Sequence, residues 1–238
     1  MIMTQRNPMI GKVIAIDGPA GAGKGTLATS LAREYRMKYL DTGTLYRTVA
    51  YKVLRAGGDP AREEDALKAC DLSDYDFKHM GNNKFCVLLD GEDVMSELRT
   101  QSVGQGASKV AFYTSVRSAL KQFQIEFAEK WASQYGVILD GRDIGTVICP
   151  DADYKFFIDA DPEVRAHRRI EELKSRGHQA NFEETLSEIL ERDARDRGRK
   201  DAPLKPAGDA YVVDTSHKNA LQVLQMVMDY ISMPVAKV

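Results

Sequence analysis

The stretch Val13-Ile14-Ala15-Ile16-Asp17-Gly18-Pro19-Ala20-Gly21-Ala22-Gly23-Lys24-Gly25-Thr26 decides the fold. Four apolar residues and an aspartate read as a short strand, and the glycine cluster reads as a loop running into a helix. Glycines let backbone N–H groups turn inward around a phosphate chain, and the helix N-terminus behind them points at it. Lys24 adds a mobile cation for the β- and γ-phosphates. Such loops usually end Gly-Lys followed by a hydroxyl residue; here Gly25 stands before Thr26, so the spacing assigns no direct Mg²⁺ ligand. A nucleoside triphosphate site is expected at Gly18, Pro19, Ala20, Gly21, Ala22, Gly23, Lys24, Gly25 and Thr26. The Asn-Lys-x-Asp pattern that reads guanine is absent, because Asn83-Lys84 is followed by Phe85-Cys86. That disfavours a GTPase switch and leaves an ATPase motor or a phosphotransferase.

Four more apolar runs also finish on aspartate: Tyr39–Asp41, Val137–Asp140, Phe156–Asp159 and Tyr211–Asp214. Near-continuous apolar strands imply burial on both faces, as in a parallel sheet covered by helices. Their carboxyl ends are where open α/β sheets bind ligands. Helical patterns alternate with them. Thr114 or Ser115 can cap a helix whose face carries Val116, Leu120, Phe123, Phe127 and Trp131, stopped by Gly136. Asp161-Pro162 opens another helix, and Leu221, Leu224, Met228 and Ile231 mark the stripe of a last one. Two stretches break the alternation. Between 59 and 108, Tyr75–Met80, a Gly81-Asn82-Asn83 turn, Lys84–Leu89 and Asp90-Gly91 predict a small antiparallel insert. From 175 to 206 the chain is charged and Arg-rich, with few apolar residues, which predicts few buried contacts and a mobile segment.

Composition narrows the function classes. The 238 residues carry 33 Lys and Arg against 35 Asp and Glu, a net charge of −2 that advertises neither nucleic acid nor an anionic membrane. Three scattered cysteines (Cys70, Cys86, Cys149) spell neither a zinc site nor a disulfide frame and point to a reducing cytoplasm. No apolar run approaches the length of a membrane span. No side-chain metal ligand is expected.

Phosphoryl transfer to a small acceptor needs cations around both phosphate groups. Asp41-Thr42-Gly43-Thr44-Leu45-Tyr46-Arg47 supplies a hydroxyl and an arginine at a helix start. Asp140-Gly141-Arg142-Asp143 places a guanidinium and two carboxylates at a strand end. Asn181 and Glu184 form a capping box for a helix with Leu186, Ile189 and Leu190 on its apolar side. Arg192, Arg195 and Arg199 then share one face, provided Gly198 does not end the helix first. That run reads either as a solvated face or as a lid closing over phosphates.

Together these motifs resemble the bacterial cytidylate kinases, within the nucleoside monophosphate kinases. The resemblance runs from Ile14 to Ser216 through Asp17–Thr26, Leu40–Arg47, Leu98–Gln101, Asp140–Asp151, Ala166–Arg169, Arg192–Pro203 and Val213–Ser216. It implies an α/β fold: a five-stranded parallel sheet flanked by helices (1–58, 109–174, 207–238), a mixed α/β monophosphate-binding insert (59–108) and a short helical lid (175–206). It implies transfer of the γ-phosphate of ATP, with Mg²⁺, to CMP and dCMP by a cytoplasmic monomer that binds neither nucleic acid nor membrane. Thr42, Ser108, Arg117, Arg142, Asp143, Arg192, Asp196 and Arg199 would line the acceptor site, with Arg47 near its phosphate and Lys24, Arg142 and Arg192 as catalytic cations. Asp143 can accept from the cytosine amine, Arg117 and Ser108 can donate to the ring, and Asp196 suits a sugar hydroxyl. Rival readings are a kinase for UMP, AMP or shikimate, and an RNA-binding switch using the Arg192–Lys200 run.

Overall fold

The computed structural model describes residues 7–80, 84–175, 177 and 179–233. The first half of the chain runs β1 (Val13–Asp17), α1 (Lys24–Glu34), β2 (Lys38–Asp41), α2 (Gly43–Arg55), α3 (Glu63–Lys68), β3 (Tyr75–Met80), β4 (Lys84–Leu89), β5 (Glu92–Asp93), α4 (Met95–Leu98) and α5 (Gln101–Val110). The second half runs α6 (Thr114–Tyr135), β6 (Val137–Gly141), a π-helical turn (Ile144–Ile148), β7 (Tyr154–Asp159), α7 (Pro162–Ser175), α8 (Phe182–Arg197), β8 (Tyr211–Asp214) and α9 (Ala220–Ser232). All five aspartate-ended runs are strands of one parallel sheet, in the order β2-β6-β1-β7-β8.

Alternation along the strands feeds two cores. Ala15, Leu40, Val137 and Leu139 pack with Leu45 and Val49 of α2 and with Val116 and Leu120 of α6. Ile14, Ile16, Ile138, Phe156 and Ile158 face the other way, onto Leu27 and Leu31 of α1 and Val223 and Val227 of α9. Burial on both faces is why these strands read as unbroken apolar runs. With the hydrophobic layers above and below, the carboxyl edge is left to the polar residues, and β1 lies there between β6 and β7.

The insert contains the antiparallel sheet β3-β4-β5. Asp90 and Gly91 have φ 52° and 86°, the double left-handed turn that Asp-Gly favours in a two-residue hairpin. The Gly81-Asn82-Asn83 turn lies outside the described residues. Helix α5 returns the chain to α2, with Gly106 close enough to Ala50 that a Cβ would stand 3.1 Å from its methyl group.

Several local expectations are corrected. Helix α6 has no side-chain cap; Thr114 Oγ1 donates instead to Asp201 (2.8 Å) and Ser115 Oγ to Glu63 (2.6 Å). Long-range carboxylates have won the hydroxyls that the local pattern offered to the helix. The buried stripe of α9 is Val223, Val227 and Ile231, while Leu221 is 77% exposed. An Asn219–Gln222 capping box fixes where that helix starts, and the face turned to the sheet follows from there. Gly198 does end α8, and Leu190 on it is exposed.

The segment around α8 is also better anchored than its composition predicts. Asn181 accepts from the Glu184 amide as its cap, and Thr185, Ile189, Asp193 and Asp196 are buried. The main anchor is ionic. Arg165 of α7, 1% exposed, donates to both Asp193 oxygens at 3.1 and 2.6 Å, and to the carbonyls of Ala160 (2.8 Å) and Ala20 (3.3 Å). One buried guanidinium thereby joins α7, α8 and the glycine loop. Removing its carboxylate leaves a buried charge unpaired, so Asp193→Ala is expected to cost about 3–5 kcal/mol in urea unfolding. An Arg165→Met/Asp193→Leu double variant should recover most of that loss. A single-variant cost in the surface-pair range of about 0–1 kcal/mol would contradict the anchoring role.

Candidate active site

The glycine loop joins the end of β1 to the start of α1. Gly18 has φ 146°, and a Cβ there would stand 2.0 Å from the Ile158 carbonyl oxygen, so the loop leaves the sheet where only glycine fits. Gly23, with φ 97°, precedes α1 without any side-chain cap. The first-turn amides of α1 thus face the loop with no capping side chain on them. Lys24, 6% exposed, lies with its ammonium 3.0 Å from the Pro19 carbonyl and 3.9 Å from Asp140 Oδ1. Burial, with Arg142 nearby, lowers the Lys24 pKa against the opposing pull of Asp140 and Asp41. Burial raises that of Asp140. A cation held by one carbonyl and a distant carboxylate gains strongly from an incoming phosphate oxygen.

Around the next part of the carboxyl edge, three arginines from three segments meet one carboxylate. Asp196, 2% exposed on α8, accepts from Arg142 Nε at 3.0 Å and from Arg199 Nη2 at 2.5 Å, with Arg192 Nε at 4.0 Å. Burial pushes the Asp196 carboxyl up, but Arg142, Arg199 and Arg192 together hold it below its ordinary value. Asp143, the last residue before the π turn, is 9% exposed; burial raises its pKa against Arg199, Arg117 and Arg142. Burial and Arg142 lower that of Arg192. Each charge here is shaped by the others.

The sequence-predicted residues are largely brought together, although some are already engaged. Arg117 is buried and donates to the Ala111 and Phe112 carbonyls and to Thr114 Oγ1. Thr42 Oγ1 donates to the Asp140 carbonyl at 2.8 Å, and Arg47 Nη1 to Leu98 at 2.8 Å. Arg195 does not join them; its Nε donates to Glu191 on its own helix. Arg199 lies beyond the end of α8 and reaches Asp196 from the following turn. Among the described residues, four buried side-chain polar atoms have no hydrogen-bond partner: Ser108 Oγ, Thr146 Oγ1, Arg192 Nε and Arg199 Nε. Three of the four belong to the predicted acceptor group. Buried polar groups are ordinarily satisfied, so the Nε atoms of Arg192 and Arg199, both beside Asp196, suit a polar ligand.

Tyr46 and a cavity escaped the sequence reading. Tyr46, beside Arg47, is half-buried with its hydroxyl near Asp143, Arg199 and Arg117, and desolvation raises its pKa. The carboxylates of Asp41 and Asp140, read in the sequence at strand ends where ligands bind, act on Lys24 as charges. Behind the glycine loop, a cavity of about 220 Å³ is lined by Gly23, Thr26, Arg168, Thr215 and Lys218. Arg168 there donates to Thr215 Oγ1 and its carbonyl, and Thr215 Oγ1 donates to the Ala22 carbonyl. The signal for this cavity was the Ala166–Arg169 run, in which Arg168 reaches Thr215 while Arg169 pairs with Glu172 on its own helix.

Comparison with known proteins gives the same answer. Cytidylate kinase, as a family, matches residues 14–233. Cytidylate kinases of Yersinia pestis (strain Pestoides F) and Yersinia pseudotuberculosis (serotype O:1b, strain IP 31758) are each 44% identical over 221 residues, which is 93% of this chain and 94% of theirs. Among solved structures, an uncharacterized protein from Eubacterium ventriosum superposes with a TM-score of 0.52 at 14% identity, over 93% of this chain and 98% of its own. That likeness concerns the fold alone. Sequence identity of this extent across nearly the whole length shows that the chain belongs to the cytidylate kinase family.

Proposed function

We propose that Lys24, Arg142 and Arg192 carry the reaction of this family, in which the γ-phosphoryl group of ATP passes to CMP or dCMP to give CDP or dCDP and ADP. The observation behind the residue assignment is the pair of unsatisfied buried Nε atoms, of Arg192 and Arg199, within a three-arginine, one-carboxylate cluster. The uncapped amides of α1 and the Lys24 ammonium suit the donor's phosphate chain. The cavity lined by Arg168, Thr215 and Lys218 suits the donor base. Among the described residues no cluster of three or more carboxylate, thiol or imidazole side chains could hold a metal. Mg²⁺ would be carried by phosphate oxygens and water, with Asp41 and Asp140, whose charges act on Lys24, as the carboxylates that would orient that water.

The acceptor's phosphate is itself the nucleophile. One of its oxygens bonds to the γ-phosphorus as the bond to the ADP leaving oxygen breaks, and no side chain has to remove a proton. The chain's work is alignment and charge compensation. Arg142 and Arg47 suit the acceptor phosphate as bidentate donors. Arg192 suits the transferring group between the two nucleotides. Asp196 suits the sugar hydroxyls while keeping the arginines from dispersing. Residues 175–206 serve as the lid, which fits the bonds from Gln101 and Gln105 of α5 to Glu188 of α8 across the cleft. The three free cysteines fit a reducing cytoplasm.

Two variants test these assignments. If Lys24 follows the transferring phosphoryl group, Lys24→Ala lowers kcat about 10²–10³-fold, the scale of one lost electrostatic stabiliser. Near-normal turnover would remove the lysine from the reaction. Asp143 concerns the base. Its carboxylate accepts from the cytosine N4 amine but meets a lone pair at uracil O4, a difference worth about 1–3 kcal/mol. Asp143→Asn is expected to narrow the CMP/UMP ratio of kcat/KM, mostly through loss on CMP. A proportional fall on both substrates would show that Asp143 only orients Arg142.

A further inference from the structure

Asp17 ends β1 immediately before the glycine loop, yet its two backbone hydrogen bonds run the other way. The residue is 4% exposed, and its oxygens accept from the Ile144 and Gly145 amides, both at 2.8 Å. Those amides open the π turn directly after Arg142 and Asp143. Asp143 itself has φ −144° and ψ 23°, the joint at which β6 leaves the sheet direction. Its carbonyl accepts from Val147 (2.8 Å) and Ile148 (3.2 Å) on the far side of the turn. The peptide between Asp143 and Ile144 is therefore fixed from both sides, by the turn's own bonds and by a carboxylate from a neighbouring strand. Charged groups face the site from several elements: Lys24 of α1 and Asp143 both act on Asp17. Burial pushes the Asp17 pKa up to about 6, which leaves it mainly ionised at neutral pH. A buried carboxylate is costly unless hydrogen-bonded, so the two amides and the carboxylate each require the other.

We infer that Asp17 is a positioning residue for the nucleoside monophosphate site: by holding the Ile144 and Gly145 amides it sets the direction in which Arg142 and Asp143 point. This rests on the reading of those two residues as acceptor ligands. Asp17 thereby serves the acceptor site, although it adjoins the donor's loop in sequence.

The test is a split between two Michaelis constants. Asp17→Asn is nearly isosteric, but its amide group presents an N–H to one of the two backbone N–H groups. KM for CMP should rise about tenfold, the scale of one hydrogen bond to a charged group, while KM for ATP moves by less than about twofold. An equal or larger rise in KM for ATP would mean that Asp17 acts through Gly18 and the phosphate loop, and the inference would be wrong. Should Asp17→Asn not fold, Gly145→Ala reaches the same contact from the other end. Its methyl group would stand 3.4 Å from Asp17 Oδ2 and 3.3 Å from Lys155 Cδ. The same split is expected there, and an unchanged KM for CMP overturns the inference. Asp143→Asn is the control. A raised KM for CMP in Asp143→Asn with a normal one in Asp17→Asn removes only the positioning role. A normal KM in both removes the acceptor assignment, and the positioning role with it.

Discussion

The Arg142, Arg192 and Arg199 guanidinium groups repel one another at the edge of the sheet, and Asp196 is what keeps them together. Its carboxylate accepts from Arg142 at 3.0 Å and Arg199 at 2.5 Å, with Arg192 at 4.0 Å. The balance leaves net positive charge at a partly buried place, which a folded chain tolerates only at some cost in stability. Arg192 Nε and Arg199 Nε remain without hydrogen-bond partners, as does Ser108 Oγ. On the proposed assignment, a nucleoside monophosphate supplies what is missing: an anion for the arginines and polar base edges for the rest. On that reading the site is arranged before the ligand arrives, so that little reorganisation is needed at the moment of reaction.

Two other buried polar ties keep that arrangement in register with the donor side. Arg165 links α7 to Asp193, one residue along α8 from Arg192, and touches the Ala20 carbonyl of the glycine loop. Asp17 links the end of β1 to the turn after Arg142 and Asp143. Both are long-range contacts at the carboxyl edge, and both join an element of the proposed donor side to one of the proposed acceptor side. The parallel sheet makes this possible. With its faces filled by apolar layers, its strand ends bring residues distant in sequence to one line.

Much of this was legible in the sequence, for physical reasons that can be named. The five strands were readable because burial on both faces demands unbroken apolar runs, and the glycine loop because close approach to Ile158 excludes every other residue at Gly18. The phase of α9 was not readable. That helix carries apolar residues around much of its circumference, and packing selected Val223, Val227 and Ile231 over Leu221. Nor were the hydroxyls of Thr114 and Ser115, whose carboxylate partners are Asp201 and Glu63. The arginine run from 192 to 199 misled by its spacing, since Gly198 ends the helix and Arg195 turns to Glu191. Asp17, Tyr46 and the Arg165–Asp193 pair were invisible for a common reason: each acts through a contact that only the assembled sheet edge creates.

The central claim is that this edge receives a cytidine monophosphate opposite the ATP loop. The most direct measurement is acceptor-dependent ADP formation with Mg-ATP and CMP, dCMP, UMP and AMP in turn, against a blank without acceptor. The account predicts rapid ADP formation with CMP and dCMP and much slower formation with UMP and AMP. ADP formation with CMP no faster than the blank would contradict it.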